Sequence, residues 1–208
     1  NLRKYPDPAA TKLVEAIASY HGFNKEEVFV GVGSDDVLAV AFMTFFNGNK
    51  PIFFPDITYS FYPVWAELFG IPYEKKAVND AFEIQKEDYY AENGGVVFPN
   101  PNAPTGAFLS LEVVEDIIQH NQDVVVIVDE AYIDFGGDTA KELTRKYDNV
   151  LVVQTYSKSR SLAGLRIGYA IGNKELIKAM NDVKYSYNSY TMNEPSIVLG
   201  TAVLEDEE

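Results

Sequence analysis

The stretch NVLVVQTYSKSRSLAGLRIGYAIG, residues 149–172, holds two apolar runs joined by a loop in which one lysine, Lys158, stands among hydroxyl side chains. NVLVVQT (149–155) and RIGYAIG (166–172) are short and mostly apolar, the pattern of strands covered on both faces. Such strands need helices above and below them, which predicts a three-layer α/β/α arrangement. The same kind of run recurs upstream in VFVGV (28–32), PIFFP (51–55), GVVFP (95–99) and VVVIVD (124–129). Helical periodicity fills the intervals. Over 9–21, Leu13, Val14, Ile17 and Tyr20 share a face and Gly22 ends the segment. Ser34 is expected to cap a helix over 34–46, with Asp35 and Asp36 in its first turn. Ser110 similarly starts LEVVEDIIQH, and Asn173 starts KELIKAMNDVKYSY. Strands alternating with helices imply a mainly parallel sheet, with ligands at the carboxyl ends of the strands.

At 208 residues the chain has the length of one large domain, and its 47% apolar content suffices for a packed core. A formal net charge of −14 disfavours nucleic acid and anionic membrane surfaces as partners and leaves small molecules. With no cysteine there is neither a disulfide framework nor a thiolate metal site, which fits a reducing compartment; the cytoplasm is the expected location. The start, NLRKYPDP, has no apolar core of a signal peptide, and no apolar run is long enough to span a bilayer. His21 and His120 are not spaced as metal ligands. The chain begins on Asn1 and closes on LEDEE, so it is expected to be a segment of a longer protein.

The chemistry-bearing residues gather at the predicted strand ends. In VVVIVDEAYIDF (124–135), Asp129 closes an apolar run and Tyr132 follows; taken alone, Asp129 is equally a turn-capping carboxylate. A nucleotide site is a poor alternative. No Gly-x-x-x-x-Gly-Lys-Ser/Thr loop exists, and GVGSDD (31–36) holds only a lone Gly-x-Gly. Lys158 has Thr155, Ser157, Ser159 and Ser161 around it and Arg166 beyond. A neutral lysine amine attacks an aldehyde, while hydroxyls and an arginine hold a phosphate ester. With a carboxylate one strand away to keep a pyridine nitrogen protonated, those features suggest pyridoxal phosphate. The start of the 34–46 helix adds backbone amides for an anion, provided that the carboxylates of Asp35 and Asp36 face away.

These segments resemble the pyridoxal-phosphate-dependent aminotransferases of the aspartate aminotransferase fold, and most nearly the branch that acts on histidinol phosphate. The resemblance rests on KYPDP (4–8), GSDD (33–36), ITYSFY (57–62), NPNAPTG (100–106), VDEAYIDF (128–135) and YSKSRSLAGLRIGYA (156–170), in the family's order along the chain. It implies the large, fold-type I cofactor domain over 1–208, with 190–208 starting a linker to a small domain that carries the substrate-clamping arginine. It implies that Lys158 bears the cofactor as a Schiff base and shuttles a proton, that Asp129 pairs with the ring nitrogen, and that Tyr132 bonds the phenolic oxygen. Tyr59 would stack on the ring, and Ser34, Asp35, Thr155, Ser157 and Arg166 would hold the phosphate. Tyr5 would reach the neighbouring subunit's phosphate, which implies a homodimer. The family often has an asparagine where Ala103 stands, so Asn102 is the candidate substitute. The implied reaction moves an amino group between glutamate and a phosphorylated keto substrate. An aromatic aminotransferase, a threonine-phosphate decarboxylase and a non-catalytic cofactor-binding fragment remain alternatives.

Overall fold

The computed structural model describes residues 3–206. One seven-stranded sheet runs through it in the order β1-β7-β6-β5-β4-β2-β3. The strands are β1 (Val28–Gly31), β2 (Ile52–Pro55), β3 (Tyr73–Lys76), β4 (Val96–Pro99), β5 (Val126–Asp129), β6 (Val150–Thr155) and β7 (Gly168–Gly172). All neighbours from β6 to β3 are parallel, while β7 runs antiparallel to both β6 and β1. An antiparallel neighbour needs no crossover helix, so the chain leaving β6 turns back through residues 156–167 at the carboxyl end of the sheet. That return loop carries Lys158.

Among the described residues six α-helices cover the sheet: α1 (Thr11–His21), α2 (Ser34–Phe45), α3 (Phe61–Phe69), α4 (Leu111–Gln119), α5 (Lys174–Tyr187) and α6 (Glu194–Glu205). Side-chain alternation splits the core. Phe54, Val97, Ile127, Leu151 and Ala170 point to the layer holding α2, α3 and α5. Val96, Val126 and Val152 meet α4 on the other face, and beside them Val30 and Ile171 meet α1 and α6. The six strands read from apolar runs are present, and the sheet is mainly parallel as expected.

Two elements escape the apolar pattern. β3 reads YEKK, an edge strand whose Glu74 and Lys75 are exposed, so it lacks a hydrophobic signature. α3 begins with aromatic residues and a proline, and buries Tyr62, Trp65 and Ala66.

Ser110 and Asn173 cap α4 and α5 as expected, accepting from the Val113 and Glu175 amides. Ser34 does not cap α2: the cap is Gly33, at φ 85°, and Ser34 is the first helical residue. The cause is a backbone crossing. A Cβ on Gly168 would stand 2.3 Å from the Gly33 carbonyl carbon and from the Ser34 nitrogen, so β7 and the start of α2 touch main chain to main chain. The 191–206 segment forms α6, which packs on α1; Ser196 in it donates to the Leu165 carbonyl at 2.6 Å.

Gly168→Ala should force those two main chains apart. The expected loss is about 1–3 kcal/mol in denaturant unfolding, and an unchanged midpoint would contradict the crossing.

Candidate active site

Parallel register sets Pro99 beside Asp129 and Asp129 beside Val153, so the ends of β4, β5 and β6 form one ledge. Above it lies a cavity of about 190 Å³. Ser34 and Asp35 reach it from the start of α2, Tyr59 from the turn before α3, and Asp129 and Tyr132 from the end of β5. Ser157, Lys158 and Arg166 complete it from the return loop. A wider hollow of about 640 Å³ lies at the amino ends of the strands, but its charged groups, Asp123, Lys146 and Asp148, are all exposed.

Asp129 is the buried centre, 4% exposed. Its carboxylate accepts from the Tyr62 hydroxyl at 2.8 Å and from the Ala131 amide at 3.2 Å. Burial pushes the carboxyl up to about 6 and the Asp35 charge adds to this, while the two hydrogen bonds and the Lys158 charge oppose it. The Tyr62 phenol is itself held far above its usual range by burial and by Asp129, so it remains a donor. Lys158 has its ammonium 5.1 Å from the centre of the Tyr132 ring, a cation–π contact across the cavity mouth.

At the other end, the Arg166 guanidinium donates to Asp35 at 3.3 Å and the Tyr59 hydroxyl donates to the same carboxylate at 2.7 Å. Burial first, then the bond to Asp35, raises the Tyr59 phenol. Arg166 sits at φ 52°, ψ 61°, in the left-handed region that side chains rarely adopt, as residues at binding sites do when their surroundings hold them there. The expectation that both acidic side chains face away is half right. Asp36 turns back to the Val32 amide at 2.9 Å, but Asp35 lines the cavity because Tyr59 and Arg166 hold it.

Two residues expected to line the cavity do not, and Tyr5, expected at a neighbouring subunit's phosphate, stands apart from it. The Thr155 hydroxyl is turned inward, to Ser157 Oγ and the Ile167 carbonyl at 3.0 and 3.1 Å. The Asn102 amide donates to the Ile57 carbonyl and Thr105 at 2.9 and 3.1 Å, while Ala103 faces the cavity. Tyr5 is 82% exposed, with its ring 4.8 Å from that of Tyr190. Tyr62 does not line the cavity either but holds the Asp129 carboxylate from behind; its only sequence signal is its place in ITYSFY, three residues past Tyr59 and on the inner face of α3. Among the described residues no three His, Cys, Asp or Glu side chains form a metal cluster, and no helix is long and apolar enough to cross a membrane.

The sequence matches the family "Aminotransferase class I and II" over residues 1–208. It is 54% identical over 207 residues to a histidinol-phosphate aminotransferase of Pseudomonas putida (strain W619), covering 100% of this chain and 60% of that protein. It is 52% identical over 207 residues to one from Lactococcus lactis subsp. cremoris (strain SK11), covering 100% of this chain and 58% of that protein. The chain thus spans about 60% of the length of these relatives. The fold matches the crystal structure of the Sinorhizobium meliloti histidinol-phosphate aminotransferase in complex with pyridoxal-5'-phosphate, with TM-score 0.90 and 22% identity over 99% of this chain and 57% of that one. It also matches L-threonine-O-3-phosphate decarboxylase from Porphyromonas gingivalis, with TM-score 0.84 and 19% identity over 98% of this chain and 61% of that one.

The raised Asp129 carboxyl fixes a sign. Between about pH 4 and pH 6 the folded chain keeps a proton that the unfolded chain has released, so this group's contribution to stability falls as pH rises. Asp129→Asn retains an acceptor for Tyr62 and removes the buried charge. At pH 7 the variant is expected to be more stable by about 1–3 kcal/mol, with a flatter pH dependence in that window. Thermal unfolding across pH checks this, and a less stable variant at pH 7 would contradict it.

Proposed function

The chain belongs to the class I and II aminotransferases, and from that premise we propose that it is the cofactor-holding part of a histidinol-phosphate aminotransferase. The reaction would exchange an amino group between glutamate and imidazole-acetol phosphate, giving 2-oxoglutarate and histidinol phosphate, in histidine biosynthesis. The observation that carries this is one cavity bounded by a buried acid, Asp129, an amine, Lys158, and a guanidinium, Arg166. Relatives about half identical along the whole chain carry that name, which supports the substrate.

The residues fit pyridoxal phosphate. Asp129 is a buried carboxyl raised by burial, and a protonated ring nitrogen would supply the cation that it lacks. A Cβ on Gly33 would stand 2.6 Å from Arg166 Nη2, so only glycine lets the guanidinium close onto the start of α2, where free backbone amides favour an anion. When bound, this cofactor supplies an electron-withdrawing ring that stabilises negative charge at the substrate's α-carbon.

The chain's own groups supply the rest. Tyr62 would keep the Asp129 carboxylate aimed at the ring nitrogen. Lys158 would hold the cofactor covalently and, once freed by an amino substrate, take a proton from the α-carbon and return one nearby. The Tyr59 ring, backed by Trp65 at 6.1 Å, would form one wall for the cofactor ring. Ser34, Ser157 and Arg166 would bind the phosphate, with Arg166 shared between it and Asp35. Because Ala103 brings no donor, Tyr132 is left as the partner of the phenolic oxygen. A homodimer, with Tyr5 reaching the partner's phosphate, and a small domain beyond residue 208 complete the proposal; the substrate clamp would lie in that domain.

Reduction of the whole protein with borohydride after adding pyridoxal phosphate should trap the cofactor on Lys158, read by peptide mass. Lys158→Ala should lower transamination by about 10²–10⁴-fold or more. Release of CO₂ in place of keto-acid formation would move the assignment to the decarboxylase, whose fold is shared.

A further inference from the structure

The end of β5 carries two acidic residues in succession, and their side chains leave it on opposite faces. Asp129 enters the cavity. Glu130, 1% exposed, goes the other way and lies outside the cavity. Its carboxylate accepts three hydrogen bonds: from the Thr139 hydroxyl at 2.6 Å, the Ala140 amide at 2.6 Å and the Gln154 side-chain amide at 2.7 Å. The first two close the neck of the loop 130–140, which carries Tyr132. Within that loop Gly136 and Gly137 stand at φ 145° and 109° and Phe135 is exposed, while buried Ile133 and a hydrogen bond from Ser159 to Asp134 pin its middle, so the Glu130 bonds are what close its neck.

The third bond extends into the core. Gln154 accepts from the Tyr169 hydroxyl at 2.5 Å. With the phenol's proton spent there, His21 Nε2, at 2.8 Å, donates to the phenol oxygen, and His21 Nδ1 accepts from Lys141 at 3.3 Å. Burial and the Lys141 and Arg160 charges push His21 down to about 4, which keeps the ring neutral as this pattern requires. Every donor in the chain therefore points toward Glu130.

We propose that Glu130 is a positioning residue whose carboxylate, from the face of β5 away from the cavity, closes the 130–140 loop and holds Tyr132 at the cavity mouth. What Tyr132 then does for a cofactor rests on the function proposed above; the closure of the loop does not. No covalent step is involved.

The test is backbone amide exchange of the whole protein without cofactor, with Glu130→Gln and the exchanged pair Glu130→Gln/Gln154→Glu. In the single variant an amide faces three donors, and exchange across 131–140 is expected to speed up about tenfold while β4, β5 and β6 keep their protection. The exchanged pair restores a donor–acceptor match across the same bond and should bring the loop back to within about threefold of the native rate. Binding of pyridoxal phosphate should weaken and recover in parallel. If Glu130→Gln does not fold, Thr139→Val removes one bond at the neck and should speed the same segment about threefold. Unchanged loop exchange, a rise spread evenly over the sheet, or a double variant as fast as the single one would each overturn the proposal. Absence of a Lys158 adduct in the native protein would overturn the proposed function instead, leaving the exchange result to decide Glu130.

Discussion

The hydrogen bond from Tyr62 to Asp129 ties the site to the fold. A buried carboxylate is costly unless donors surround it, and this one has a phenol from α3 and a backbone amide from its own turn. The phenol reaches it only because α3 packs its Tyr62 and Trp65 against the layer of α2, where Phe42 and Phe54 meet the Tyr62 ring. The acid at the end of β5 is thus placed by an aromatic cluster distant from it in sequence. Its raised carboxyl is a strain that a cation in the cavity would relieve, the usual compromise between stability and function at a site.

The second constraint is the antiparallel β7. Its reversal keeps the Lys158 loop at the carboxyl ends of the parallel strands, and the contact of Gly168 with Gly33 fastens that loop's far end to the start of α2. Lys158 and Arg166 therefore flank one cavity from one loop, and the amides of α2 meet Arg166 across a gap that a Cβ at residue 33 would fill. A close backbone approach does here what a longer side-chain network does elsewhere, because main chain cannot relax as a rotamer can.

Asp129 and Glu130 divide the work of β5 between its faces. One carboxylate meets the cavity, and the other meets the loop neck, Gln154 and, through Tyr169, His21. Adjacent residues of like charge are tolerated because the sheet separates them and each has its own donors.

By itself, the sequence determined the layer architecture and most of the residues that gather around the cavity at the strand ends. Six strands were legible because strands buried on both faces must be apolar, and Lys158, Asp129, Tyr132 and Arg166 were legible because they stand in ordered motifs at strand ends. β3 was not, since an edge strand exposed to water has no apolar requirement, and the cap of α2 was assigned to Ser34 because capping propensity is local whereas the Gly33–Gly168 crossing is not. Only the tertiary structure decided which hydroxyls and amides are free. Thr155 and Asn102 have the right chemistry and the right place in the chain, yet the Thr155 hydroxyl is turned to Ile167 and the Asn102 N–H groups are spent on Ile57 and Thr105. Tyr62 and Glu130 gained their partners in the same way. A side chain's partners depend on which distant segments pack beside it, and spacing along one chain does not carry that information.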